Sequence, residues 1–158
     1  MTALLDASAR GVYTIAATPF TDSGEIDWDS VDSLVDFYLG HGVHGMTIMG
    51  ILGEAHKLAD DESLELMHRF LKRVAGRIPV IVGVSSPGLK KLVEFSRQSM
   101  EAGAAGVMVA PLNNTKTDEA IAGYFSAVIG ALGPSIPIAL QDHPQVVGSN
   151  ISTGTLQK

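Results

Sequence analysis

Five short apolar runs, each cut off by a turn signal and each followed by one stretch of helical spacing, limit what this chain can fold into. The runs are Gly11–Phe20, Met46–Met49, Pro79–Val84, Ala105–Ala110 and Ile136–Leu140. They end near Phe20, Gly50, Ser85, Pro111 and Asp142, at intervals of 30, 35, 26 and 31 residues, near the length of one βαβ unit. Most of these runs show no alternation of apolar and polar residues, which marks strands buried on both faces of a parallel sheet. Parallel neighbours need crossovers, and crossovers of this kind are right-handed.

The segments between the runs support the same order. Asp27 is placed to cap a helix whose apolar spacing is Val31, Leu34, Val35, Tyr38 and Leu39, closed by Gly40 and Gly42. Asp60 or Asp61 is expected to cap a second helix, with Leu64, Met67, Leu71 and Val74 on one face. Leu89, Leu92, Val93, Ser96, Ser99 and Met100 mark a third, closed by Gly103. Thr117 caps a fourth, running through Ile121, Tyr124, Phe125, Val128 and Leu132. A last helix is expected after Ser152. The chain reads as one α/β domain over residues 1–158. Two architectures fit: the first five βα units of a (β/α)8 barrel, which ordinarily takes ~250 residues, or an open doubly wound parallel sheet. Both place ligands at the carboxyl ends of the strands.

One of those ends stands out. The run Met46–Met49 stops in Gly50-Ile51-Leu52-Gly53-Glu54. Two glycines three apart let the backbone turn sharply and expose its N–H groups, an arrangement suited to an anion such as a carboxylate. A plain strand-to-helix loop fits the same residues. Asp142-His143, at the fifth exit, suits acid–base work near neutral pH, and it equally suits an ordinary turn before Pro144. Glu54 and His56 are two ligand types without a third, and His41 and His44 span a glycine-rich helix exit, so no metal site is expected. Ser85-Ser86 lacks the surroundings of a nucleophile elbow. No dinucleotide or Walker fingerprint follows the first strand, and no cofactor is expected.

Composition excludes other classes. The formal charge is −6 with one adjacent basic pair, Lys90-Lys91, so no nucleic-acid partner is expected. With no cysteine there is no thiolate chemistry, which fits a reducing cytoplasm. No apolar run approaches a membrane span, and no leader pattern is read at the N-terminus.

Taken together, Thr18-Pro-Phe20, Gly50-x-x-Gly-Glu54, Pro79-Val-Ile-Val-Gly-Val84, Gly103-Ala-Ala-Gly-Val-Met-Val-Ala-Pro111 and Pro137-Ile-Ala-Leu-x-x-x-Pro144 resemble the dihydrodipicolinate synthase / N-acetylneuraminate lyase family. The resemblance implies a (β/α)8 barrel assembled as a homodimer or homotetramer. It implies a lyase in which a lysine forms a Schiff base with pyruvate or another 2-oxo acid, and the derived enamine adds to an aldehyde or is released by the reverse cleavage. On this resemblance Thr18 and Gly50, Ile51, Leu52, Gly53 and Glu54 line the 2-oxo acid site, Asn113 and Gln141 stand where the family has tyrosines, and Asp142 or His143 supplies acid–base function.

Departures from the family pattern shape the expectation further. The strand-two turn of the family is Gly-Thr-Thr-Gly-Glu, so Ile51 and Leu52 replace two hydroxyls and cannot relay protons. The arginine that grips a second carboxylate aligns near Val146. The Schiff-base lysine of the family would lie past Lys158, and of the six lysines in the chain only Lys57 and Lys116 follow strand ends. The resulting expectation is a partial barrel from a lyase whose substrate lies outside lysine biosynthesis, such as a sugar-derived or aromatic 2-oxo acid. A binding or assembly relic and a flavodoxin-like module are the alternatives.

Overall fold

The computed structural model describes residues 3–113 and 115–157. Its five strands are β1 (Tyr13–Ile15), β2 (Gly45–Ile48), β3 (Val80–Gly83), β4 (Gly106–Val109) and β5 (Ile138–Leu140). They pair in parallel in the order β1-β2-β3-β4-β5. Sequential order decides between the two architectures. A doubly wound sheet reverses its order at a switch point, whereas this sheet advances one strand at a time as a (β/α)8 barrel does. The open doubly wound alternative is therefore set aside.

Four long helices alternate with the strands: α1 (Trp28–Gly40), α2 (Asp60–Val74), α3 (Leu89–Glu101) and α4 (Asp118–Leu132). Two four-residue helices follow β5, α5 (Pro144–Val147) and α6 (Thr153–Leu156). Asp27 caps α1 by accepting from the Ser30 N–H at 3.1 Å, and Thr117 caps α4 by accepting from Ala120 N–H at 3.2 Å. Ser152 caps α6, accepting from Thr155 N–H at 3.2 Å. The expected cap of α2 is corrected: the cap position is Ala59, and Asp60 and Asp61 lie in the first turn. Ala59 has no polar side chain, so Glu62 reaches back to accept its N–H at 2.8 Å, while three acids in that turn favour the positive end of the helix. Helix α5 escapes a reading by period because four residues are too few to show one.

Period two in the strands sorts their side chains. Met46, Ile48, Val80, Val82, Val107 and Val109 pack with Leu66, Met67, Phe70, Val74, Leu92 and Phe125 from the helices in one buried cluster. The alternate positions, in register across the sheet, are Ile15 with Thr47 and Ile81, then Met108 with Ala139. Outside the core, α1 and α2 are joined by bidentate pairs, Asp32 with Arg69 at 2.8 Å and Asp36 with Arg73, while Arg77 donates to the carbonyls of Val74 and Arg73 at the end of α2. The Arg73 hydrogen bond holds the Asp36 carboxyl below the usual carboxylate range. Among the described residues no helix is long and apolar enough to cross a membrane.

Phe70 is 1% exposed and sits centrally in the cluster between α2 and the sheet. Phe70→Ala is expected to cost about 3–5 kcal/mol through lost burial and a residual cavity, read as a lowered midpoint in urea with an unchanged slope.

Candidate functional site

Of the five strand exits, that of β2 is the most constrained. Met49 follows the strand with φ +58° and is 5% exposed, an uncommon backbone state for a buried non-glycine residue. The space opposite is supplied by Gly83: a Cβ there would lie 2.2 Å from the Met49 carbonyl oxygen. The chain then turns through residues 50–53. A Cβ on Gly53 would stand 3.1 Å from the Ala16 carbonyl, so the turn also lies against the exit of β1.

Thr18 fixes the far side of this turn. It is 7% exposed, and its Oγ1 donates to the Gly53 carbonyl at 2.6 Å. Thr18 thus serves as a positioning residue for the turn, with its hydroxyl spent inside the protein. Glu54 closes the turn, its N–H donating to the Ile51 carbonyl at 3.0 Å and its backbone left-handed at φ +53°. Its carboxylate pairs with Lys57, and that hydrogen bond, with the charge of Lys57, holds the Glu54 carboxyl below the usual range. The N–H groups of Gly50, Ile51, Leu52 and Gly53 have no partner among the described residues. Four free donors on a tightly held turn form a concavity suited to an oxyanion.

The other exits contribute less order. Ser85 Oγ accepts the Ala110 N–H at 2.9 Å and ties β3 to β4 above the sheet. Gln141 N–H donates to the Val109 carbonyl at 2.9 Å, so β5 stays in register to its exit. Asn113 is exposed, in the turn after β4. Asp142 is exposed, and His143 precedes α5, with its carbonyl accepting from Val146 and Val147, each at 3.1 Å. Buried side-chain atoms without a hydrogen-bond partner among the described residues are His143 Nδ1 and Tyr124 Oη, and burial pushes the Tyr124 phenol up. His143 therefore carries an uncommitted ring nitrogen at a strand exit.

The fold thus brings the expected residues to one end of the sheet, with Thr18 and Gly50–Glu54 in one contiguous unit and Asn113, Gln141, Asp142 and His143 spread over the exits of β4 and β5. Neither Gly83 nor the left-handed Met49 was expected from sequence; the glycine closing an otherwise apolar run was the available signal. Among the candidate amines, Lys57 is paired with Glu54 and Lys116 donates to the Gly148 carbonyl at 3.3 Å. Lys158 lies outside the described residues. No group of three histidine, cysteine or acidic side chains able to hold a metal occurs among the described residues. His41 Nδ1 contacts its own helix at the Phe37 carbonyl (2.8 Å), and His44 Nδ1 accepts the Val12 N–H at 3.1 Å, so the two rings serve different partners. A cleft of about 500 Å³ between α1 and α2 is lined by Asp32, Asp36, Arg69, Lys72, Arg73 and Arg77. It lies on the helix layer with its acids paired to arginines, away from the strand exits.

Comparison with known proteins agrees with this geometry. The Dihydrodipicolinate synthetase family matches residues 8–158. A 4-hydroxy-tetrahydrodipicolinate synthase of Caldicellulosiruptor bescii is 36% identical over 150 residues, covering 94% of this chain and 50% of its own. One from Caldicellulosiruptor saccharolyticus is 37% identical over the same shares. The crystal structure of dihydrodipicolinate synthase from Rhodopseudomonas palustris superposes with a TM-score of 0.93 at 43% identity, over 98% of this chain and 51% of that one. That from Thermotoga maritima gives 0.83 at 33% identity, over 92% and 48%. The chain spans about half the length of the relatives it matches.

Two outcomes follow from the turn. Thr18→Val leaves the Gly53 carbonyl buried and unpaired and is expected to cost about 1–3 kcal/mol, with Thr18→Ser recovering most of it in urea unfolding. For Glu54, the folded carboxyl is depressed, so its pairing with Lys57 contributes above the ordinary glutamate range and is lost as pH falls through the lowered value. Glu54→Gln is expected to flatten that part of the acid limb in a pH series of thermal unfolding, leaving the neutral-to-basic side parallel to the parent.

Proposed function

The chain belongs to the dihydrodipicolinate synthetase family, and on that premise we propose that it supplies the 2-oxo acid carboxylate site of a Schiff-base lyase. The observation that carries this reading is the β2 turn, where four unpartnered N–H groups are held by Thr18 and by the close approach of Gly83 to Met49. A carboxylate bound there is held by backbone alone. That explains how Ile51 and Leu52 are compatible with the same binding role as hydroxyl-bearing residues: the donors belong to the peptide, whatever the side chain.

In the proposed reaction a lysine amine attacks the 2-oxo carbon, and loss of water leaves a protonated imine. That imine draws electrons from the adjacent C–H bond, a proton leaves, and the enamine carbon bonds to an aldehyde carbon. The carbonyl electron pair moves to the aldehyde oxygen, which takes a proton, and hydrolysis returns the lysine. Asp142 and His143, at the β5 exit, are the groups of this chain proposed to move protons, His143 through its uncommitted Nδ1. Neither Lys57 nor Lys116 is proposed as the imine-forming amine, since each is already engaged. The amine is assigned to the part of the relatives' length that this chain does not span. Pyruvate is the proposed first probe, and no metal or organic cofactor takes part. The proposed working form is a homo-oligomer in the cytoplasm.

The experiment is borohydride reduction of the native protein in the presence of pyruvate, read by intact mass and peptide mapping. The expected result is a reduced pyruvate adduct on a lysine other than Lys57 or Lys116. Gly53→Val, which crowds the Ala16 carbonyl and deforms the turn, is expected to lower the yield at a fixed pyruvate concentration by tenfold or more, flagged as an order of magnitude. An adduct formed equally well by Gly53→Val overturns the assignment of the turn as the carboxylate site.

A further inference from the structure

The strand exits also bear on the second reactant, an inference that rests on the reading just given. Large apolar side chains stand open at this end: Leu52 in the β2 turn is 58% exposed, and Val146 on α5, just past the β5 exit, is 56% exposed. A single exposed leucine is ordinary. What gives these two meaning is the state of the charges around the same rim. Lys57 pairs with Glu54, Lys91 pairs with Asp60, and Lys116 donates to a backbone carbonyl. Lys90 stands in the first turn of α3, in the helix layer. Asp142, at the β5 exit, is exposed and acidic.

A carboxylated aldehyde crossing this rim therefore meets an acid and engaged lysines. Its charge would be desolvated without a cationic partner, which is costly. An uncharged aldehyde with a hydrocarbon group loses nothing by the same passage and gains apolar contact at Leu52 and Val146. The amide nest at Gly50–Gly53 is already assigned to the 2-oxo acid and offers no second anion site. We infer that the aldehyde partner of this chain is uncharged and carries an alkyl or aryl group, and that Leu52 and Val146 are residues that determine this specificity.

The test uses the full chain with ¹³C-labelled leucine and valine methyl groups, titrated with benzaldehyde and separately with succinic semialdehyde, each with and without pyruvate. Leu52→Thr and Val146→Asn identify the two sets of methyl signals and serve as variants. The expected result is that benzaldehyde shifts the Leu52 and Val146 methyls with an apparent affinity about tenfold or more above that of succinic semialdehyde, the size of discrimination apolar pockets give, and that either substitution narrows the ratio. Equal or tighter binding of succinic semialdehyde overturns the inference, as does benzaldehyde binding that moves neither methyl set. Borohydride capture of pyruvate is read on the same samples. Loss of capture with the benzaldehyde preference intact removes the lyase reading and supports the apolar site; capture without that preference removes the apolar site and leaves the lyase reading standing.

Discussion

The close approach of β3 to the exit of β2 is the constraint on which the rest of the site depends. Gly83 ends β3 with no side chain, and the Met49 carbonyl occupies the volume a Cβ would need, 2.2 Å away. Because that carbonyl is lodged there, Met49 takes a left-handed backbone state despite its bulk, a strained choice that persists only when neighbours over-determine it. Everything downstream inherits the resulting direction. The chain from Gly50 to Gly53 is thrown over the sheet end toward β1, where Thr18 meets the Gly53 carbonyl at 2.6 Å. Three strands thus hold one turn, so its four free N–H groups are fixed before any ligand arrives. Preorganised donors of this kind cost no rearrangement at the moment of use.

Electrostatics follow the same separation of frame and site. The strong ion pairs lie between α1 and α2, where Asp32 and Asp36 face Arg69 and Arg73, on the outside of the fold. The strand exits carry backbone dipoles, one exposed aspartate and a lysine spent on Glu54. Salt screens the outer pairs, but a nest of amides is local and is screened little once a ligand excludes water from it. The frame and the site therefore respond to different conditions.

The layout was legible in the sequence where burial leaves continuous apolar text. β2, β3 and β4 are buried at every position, and each was read within a residue or two at either end. β1 and β5 are only half-buried and three residues long, so the longer runs at Gly11–Phe20 and Ile136–Leu140 overstate them: edge strands pair on one side only and end sooner. Caps with a side-chain acceptor, Asp27, Thr117 and Ser152, were readable from residue type; the Ala59 cap was not, because Glu62 does the work from inside the helix. At the site, the two glycines announced a turn. The sequence did not announce that Thr18 would turn inward to hold it, since a threonine before a proline reads equally well as a rim residue. Nor is a left-handed methionine encoded by its own side chain: it is dictated by a glycine 34 positions on, at Gly83.

That long-range dictation bears on how a site like this changes specificity. If the carboxylate is gripped by peptide N–H groups, the side chains of Ile51 and Leu52 are released from that task, and their identity is free to answer to the other reactant. The frame tolerates the change because nothing structural depends on it: Leu52 is exposed, and the contacts that fix the turn run through Met49, Gly53, Thr18 and Gly83. Substitution at Gly83 is a different matter, because it moves the donors themselves. Recognition of the shared group is thus lodged in backbone geometry and a few small residues, while recognition of the variable group is lodged in exposed side chains on the same turn. This division lets one fold keep its chemistry while its second substrate varies.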